Sequence, residues 1–474
     1  MSNVVAPEGR FGVLLPTAIA TGAGSQHLFG DFTRRGVLAS LYDFENRRPK
    51  SPLLPKGGKW FESVHSSYKF CLISLTGSDS VESATRLGFF LGDISDLDDP
   101  ARVFTLTTEE LALINPNTGT LPIFRSRRDA ELTASIYRRF PILRAHGSSS
   151  GNPWGVRLRR IFDMTDDSGL FSTQEELEAE EWESDGSAYT SNTLKMLPLH
   201  EGRMGHQFTH RYADSSGLHT ATLEELQEPH FTPTPQYWVP EGETEKRLSR
   251  HPAMCRTALL GHRRVTRNTD ERTAIASLIP WGATSYGWIL SFGPDGKRLT
   301  QLLTTFNSFI YDYTLRNNLT QPSLPQSTTE QIPTPTPADL EPYEAFIIRR
   351  ALELTYTAHD MRDFARDLGD EGSPFRWDSE RRKRIRAELD ALFFHLYGIK
   401  REDVSYVLDT FPIVKRKDEE KYGEYRTKHL ILAEYDRMAT AGLTLETPLD
   451  EEKPGPGAYR SLLTPPPGQG PRHG

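Results

Sequence analysis

The chain has 474 residues, enough for two to four domains that each bury a core of their own. A hydrophobic content of 36% beside 25% charged residues points to a soluble protein, and no apolar run reaches membrane-spanning length. No leader pattern opens the chain, and with only two cysteines, Cys71 and Cys255, there is neither a disulfide framework nor a zinc site; the expected location is the cytoplasm, with no metal. The net charge of −8 excludes a protein that is basic throughout, yet local basic patches rather than totals attract phosphate.

In chain order, Gly9–Pro16, Gly36–Asn46 and Val64–Leu75 are three short apolar runs, each closed by Pro or polar residues as buried strands are. Between the first two, residues 26–35 place Leu28, Phe29 and Phe32 on one face of a predicted helix. Strand, helix, strand, loop, strand is half of an α/β sheet.

These residues resemble a family. GRFGVLLPTAIAT, LASLYDFENR and VHSSYKFCLISL are similar to the late motifs of amino-group DNA methyltransferases, specifically the large type IIG-like restriction–modification methylases. The resemblance continues through PIFRSRRDAELTASIYRRFPIL, LPLHEGRMGHQFTHRY and FPIVKRKDEEKYGEYRTKHLILAEYD. It implies the last strands of a Rossmann-like methyltransferase sheet, with the Val64–Leu75 strand inserted antiparallel between its neighbours. It also implies that an aromatic residue of that strand, Tyr68 or Phe70, packs against a flipped-out base. Core packing is the alternative for both, and for Phe70 the better one. The family's Asn-Pro-Pro-aromatic loop does not occur: Asn115-Pro116-Asn117 and Asn152-Pro153-Trp154 each lack the second proline. Gly22-Ala-Gly24 lacks the third glycine and the ribose-binding acid of a cofactor turn, and reads as a loop. The expectation is therefore a chain that starts after the catalytic and cofactor motifs.

Residues 78–99 read as a polar connection, with the acidic cluster Asp93–Asp99 as a solvated turn. Phe104–Ile114 starts as a strand and becomes a helix capped near Thr107 or Thr108. Residues 121–143 carry Arg125, Arg127, Arg128, Arg138 and Arg139 around a helix whose Leu132, Ile136 and Phe140 face a core. Phosphate contact and pairing with surface carboxylates are both open for these arginines. Glu175–Asp185 is acidic around Trp182, a solvated loop or short helix.

Leu194–Tyr212 packs three histidines, two arginines and two aromatics into a strand–turn–strand pattern, with Gly202 and Gly205 allowing close backbone approach. The spacing of His200, His206 and His210 matches no zinc motif. Under the resemblance this stretch lines a DNA cleft, which makes Lys195, Arg203, His206 and Arg211 candidate contacts, with structural hydrogen bonding the competing role for the histidines. Residues 246–272 hold eight Lys or Arg against Asp270 and Glu271, a net +6 in 27 residues. Arg263, Arg264 and Arg267 are the phosphate-binding candidates here; a salt-bridged β-surface is the alternative.

Leu302–Leu315 is apolar and aromatic, and in the family its counterpart closes the recognition region. Residues 320–342 contain six prolines and read as a linker. Ile385, Leu389, Leu392, Phe393 and Leu396 keep helical spacing up to Gly398, and Val404, Val407, Leu408 and Phe411 repeat it. The basic run Glu380–Arg386 reads as a solvated helix face. Six prolines and five glycines in the last 24 residues predict a disordered tail.

The sequence thus predicts an α/β plus α+β chain: a partial methyltransferase domain (1–114), a target-recognition region (115–319), a linker (320–342), a helical domain (343–445) and a tail (446–474). Its implied function is the C-terminal part of an adenine-specific DNA methyltransferase that supplies target recognition. Double-stranded DNA and a second chain or missing half are the implied partners. S-adenosylmethionine serves the complete enzyme and is not bound by this chain alone. A non-catalytic DNA-binding specificity subunit is the alternative.

Overall fold

A computed structural model describes residues 5–21, 25–50, 54–66, 68–80, 82–114, 116–117, 119–121, 123–250, 255–319, 321–442 and 459–474. Gly22-Ala-Gly24 and the start of the expected tail, 446–458, lie outside the described residues. The chain forms two compact units: residues 1–151 with 317–320 and 330–333, and the remainder. The architecture is mixed α/β and α+β, with several sheets and many helices.

The first unit is built on five strands, β1 (Arg10–Pro16), β2 (Leu38–Glu45), β3 (Lys69–Thr76), β4 (Ala84–Leu91) and β5 (Val103–Thr107), in the order β1-β3-β2-β4-β5. β3 runs antiparallel to both β1 and β2, while β2 and β4 are parallel. Alternation sends Cys71, Ile73 and Leu75 of β3 into the core, with Phe11, Val13 and Leu15 of β1 packed against it. Helix Gln26–Arg34 contributes Phe29 and Phe32, whereas Leu28 stays exposed.

The expected polar connection at 78–99 instead carries β4. Thr85, Leu87 and Phe89 alternate with Arg86, and β4 buries Leu87, Phe89 and Leu91. The acidic cluster is a 3-10 turn in which Asp93 and Asp96 cap each other's backbone, with Arg48 and Arg102 as counter-ions. Thr107 caps helix Thr108–Leu113 through a reciprocal box with Glu110.

The expected boundary at 114/115 moves to 151/152. The reason is helix Arg127–Arg139, whose Ala130 and Tyr137 belong to the first core.

The second unit contains two further sheets. One orders β10 (Trp238–Pro240), β9 (Leu194–His200), β8 (Tyr189–Ser191) and β7 (Glu183–Ser184), with β13 (Ala283–Thr284) added parallel to β9. The other orders β12 (Ala276–Pro280), β11 (Ala258–Arg263), β14 (Trp288–Phe292) and β6 (Arg157–Arg159).

Helix Ser379–Leu396 buries Ile385, Leu389, Leu392, Phe393 and Leu396, and Gly398 at φ 68 allows the left-handed turn that ends it. Its basic start is not a solvated face: Arg381 pairs with Glu353, and Arg382 donates to the Leu354 carbonyl at 2.7 Å.

The Pro-rich stretch is not a free linker. It carries helices Gln326–Glu330 and Pro337–Leu340 and buries Leu324, Ile332 and Leu340. Nor is the described end of the chain disordered. Tyr459 is buried with its hydroxyl on Glu434 at 2.7 Å, and Arg472 pairs with Asp370 at 2.5 Å. Side-chain partners outweigh composition in both segments.

Candidate functional site

In the first unit the two aromatic candidates take different positions. Phe70 stacks on Phe44 with centroids 5.5 Å apart and meets the edges of Trp60 and Phe61, so it is a packing residue. Tyr68 precedes β3 and is 67% exposed, free to meet a ligand ring.

Lys69 leads to a cluster that the sequence reading missed. Its ammonium pairs at 3.3 Å with Asp43, a fully buried carboxylate on β2 that also accepts from the Thr17 hydroxyl at 2.5 Å and the Phe90 amide at 3.3 Å. The Asp43 charge, after burial, helps push the Cys71 thiol up to about 12, so that sulfur is not a nucleophile. Phe90 sits at φ 55, in the left-handed region, and its ring lies 3.5 Å from the Lys69 ammonium and 4.5 Å from the Arg125 guanidinium. A non-glycine residue held there is a recognised mark of a constrained functional position. An Asp inside the apolar run Leu41–Phe44 is the signal that could have flagged it.

The other candidate arginines of this unit, Arg127, Arg128, Arg138 and Arg139, are exposed. Arg127 pairs with Glu131 at 2.7 Å and Arg138 with Glu110 at 2.5 Å. Arg139 lies 5.4 Å from the Phe140 ring, and Arg128 stands on the same helix.

In the second unit, residues 194–212 form β9 and a tight turn, and the glycines are required there. A Cβ on Gly202 would stand 2.5 Å from the Gly287 carbonyl oxygen, and one on Gly205 2.7 Å from the Trp288 ring. Arg263 staples this turn, its Nε donating to the carbonyls of Gly202 (2.8 Å) and Gly205 (3.0 Å).

Arg211 is fully buried and donates to the carbonyls of Leu226, Glu228, Phe231 and Thr357 and to the Thr357 hydroxyl. Arg211 and Arg263 are therefore structural, and neither is offered to a ligand. Lys195 lies 3.5 Å from Glu241, Arg203 is exposed with one donor on the Ser216 carbonyl, Arg264 is near Tyr286, and Arg267 is exposed. The strong basic signal of 246–272 is reduced in the same way, because Arg247 pairs with Asp167 at 2.7 Å and Arg272 with buried Asp312 at 2.6 Å.

The histidines each have a separate partner. The Trp288 indole donates to His200 Nδ1 at 3.1 Å while His200 Nε2 meets the His210 carbonyl at 2.8 Å; burial pushes His200 down to about 4 and keeps it neutral. His210 Nε2 is 2.6 Å from Asp360. His206 lies against Tyr212, and burial, reinforced by Arg263 and Arg386, holds it well below its ordinary value. Among the described residues no group of His, Cys, Asp or Glu is placed to hold a metal ion.

His200, His210 and Asp360 also border a cavity of about 500 Å³ whose other walls include Tyr189, Trp238 and Trp281. Asp360 is the only formally charged residue among them, so the cavity suits a flat group with a donor edge better than a phosphate. Among the described residues no helix is long and apolar enough to cross a membrane.

The sequence matches no protein-family model and no curated protein. Among solved structures, that of the type IIG restriction endonuclease BpuSI is similar at a TM-score of 0.29 and 12% identity. The match covers 83% of this chain and 48% of that one, so the chain spans about half the length of that enzyme. At such a score the likeness does not define a shared fold.

Proposed function

We propose that this chain is the DNA-recognising, C-terminal part of a site-specific DNA methyltransferase of a restriction–modification or phage-defence system. One observation carries the reading: β3 lies antiparallel between β1 and β2, the arrangement that the methyltransferase resemblance implies for the end of its sheet. Tyr68 would meet the target base. Exposed Arg125, Arg127, Arg128, Arg138, Arg139, Arg203 and Arg267, with half-buried Lys195, Arg264 and His206, would meet phosphate. The complete enzyme would move a methyl group from S-adenosylmethionine to an adenine amino group. The Asn-Pro-Pro loop and the cofactor strands would come from outside these residues, on a second chain or a preceding segment.

The absence of any Asn-Pro-Pro in the sequence favours a second reading, a non-catalytic specificity subunit. Methyl transfer from labelled S-adenosylmethionine to unmethylated duplex DNA separates the two. The chain should bind duplex and be silent alone, with transfer restored when the neighbouring-gene product is added. Binding with silence in both mixtures supports the specificity subunit. Failure to retain duplex at low salt would sink both readings.

A further inference from the structure

We propose that a cavity of about 170 Å³ in the second unit, walled by Gln207, Arg272, Arg386 and Lys417, is a binding site for a phosphate-type oxyanion. The argument is one of charge left over. Gln207 Oε1 is a single neutral acceptor shared by two guanidiniums, Arg272 at 3.2 Å and Arg386. Arg272 has Asp312 as its carboxylate, but Asp312 also serves Arg316 at 3.3 Å and the Thr273 amide. One carboxylate thus faces two guanidiniums.

The carboxylates lining the cavity already have partners. Glu271 pairs with Lys417 at 2.5 Å, Asp418 accepts from the Thr427 amide at 2.6 Å, and Asp390 accepts from the Phe309 amide at 2.8 Å. Lys383 rests on the Tyr422 hydroxyl and lies 3.7 Å from Glu380. Among the lining residues, Arg272, Lys383, Arg386 and Lys417 stand against Glu271, Asp390 and Asp418, four cations to three carboxylates. The one without an ion pair among the described residues is Arg386. Burial and then Arg272 push its guanidinium down to about 10.

Asp390 and Glu271 act on Arg386 only at longer range; a half-buried guanidinium without a close ion pair is costly, and its planar fork suits a tetrahedral oxyanion. Since a water occupies about 30 Å³ of the liquid, the cavity has room for such an ion and a few waters. The positive field is felt by the neighbouring His206, which Arg386, Arg272 and Lys417 all help to keep unprotonated. The oxyanion could be a DNA backbone phosphate or a free phosphate; the site itself rests on neither.

Calorimetric titration of the full chain with inorganic phosphate, against chloride at equal ionic strength, tests the site. Phosphate should bind and chloride should not, and Arg386→Gln should weaken phosphate by about tenfold or more, the worth of a charged hydrogen bond. Arg386→Lys, which keeps the charge without the fork, should fall between, and the circular dichroism of both variants should match the parent. Equal heats with both salts, or undiminished phosphate binding by folded Arg386→Gln, would overturn the proposal. A duplex competition arm names the source: displacement of bound duplex by phosphate, lost in Arg386→Gln, assigns a DNA phosphate, and phosphate binding without displacement assigns a free one. A chain that binds phosphate but no duplex would refute the proposed function and leave this site standing.

Discussion

Arg211 is a DNA-contact candidate in the sequence and Tyr68 a target-base candidate, and burial separates them completely. Arg211 is 0% exposed with five acceptors around it, so removing the guanidinium strands several buried carbonyls at once. Each stranded group costs about 1–3 kcal/mol. Arg211→Met should therefore lower stability by at least about 3 kcal/mol in urea denaturation; a change under about 1 kcal/mol would contradict its structural role. Tyr68 is 67% exposed, and Tyr68→Ala should stay within about 0.5 kcal/mol of the parent. The same variant should weaken methyl transfer in the reconstituted enzyme, and unchanged transfer would remove Tyr68 from the site. Composition could not distinguish the two side chains, since an arginine reads as a surface cation until its acceptors are seen. Here those acceptors come from Leu226 to Thr357, far along the chain.

Elements with a strong period were legible, and elements held by distant partners were not. The helix Ser379–Leu396 and its buried row follow directly from spacing, as does the Thr107 cap, because each depends on residues within a few turns. β4 was missed because Arg86 and Gly88 interrupt its apolar residues, and its strand character comes from pairing with β2 and β5. The end of the chain is the clearest case. Proline and glycine content predicts disorder, yet residues 459–474 are held by Tyr459 on Glu434, Arg472 on Asp370 and the Arg381 guanidinium on the Pro465 carbonyl. Deleting 459–474 should therefore cost about 3–5 kcal/mol, the scale of losing one buried aromatic, and a truncated chain with the parent's urea midpoint would show the segment to be dispensable. In the candidate site, Gly202 and Gly205 could be read in advance as points of close approach. Asp43 and Phe90 could not be joined, since they lie 47 residues apart in sequence and meet only through the sheet.

At the scale of the whole molecule, buried titratable groups set how acid should act on it. Burial pushes His262 down to about 3 and His200 down to about 4, while it raises Asp390 to about 6. In the unfolded chain these groups return to ordinary values, about 6.5 for histidine and 3.9 for aspartate. Around pH 5 the unfolded chain therefore holds two more protons at the histidines, and the folded chain one more at Asp390. The difference of one proton means that the share of stability set by these three groups falls on acidification, by about 1.4 kcal/mol per pH unit, and His206, also held below its ordinary value, acts in the same direction. The histidine contribution is complete above pH 6.5 and is lost as pH falls toward 4 and 3; that of Asp390 has the opposite sign and is lost as pH rises through 6. Six of the seven tryptophans belong to the second unit, which holds all three groups, so indole fluorescence follows the relevant unfolding. Urea midpoints between pH 4.5 and 6.5 should drop with acid. His262→Gln should flatten the dependence by about one proton, and Asp390→Asn should steepen it by a similar amount. A parent that gains stability on acidification would mean that the carboxylate, not the imidazoles, dominates this core.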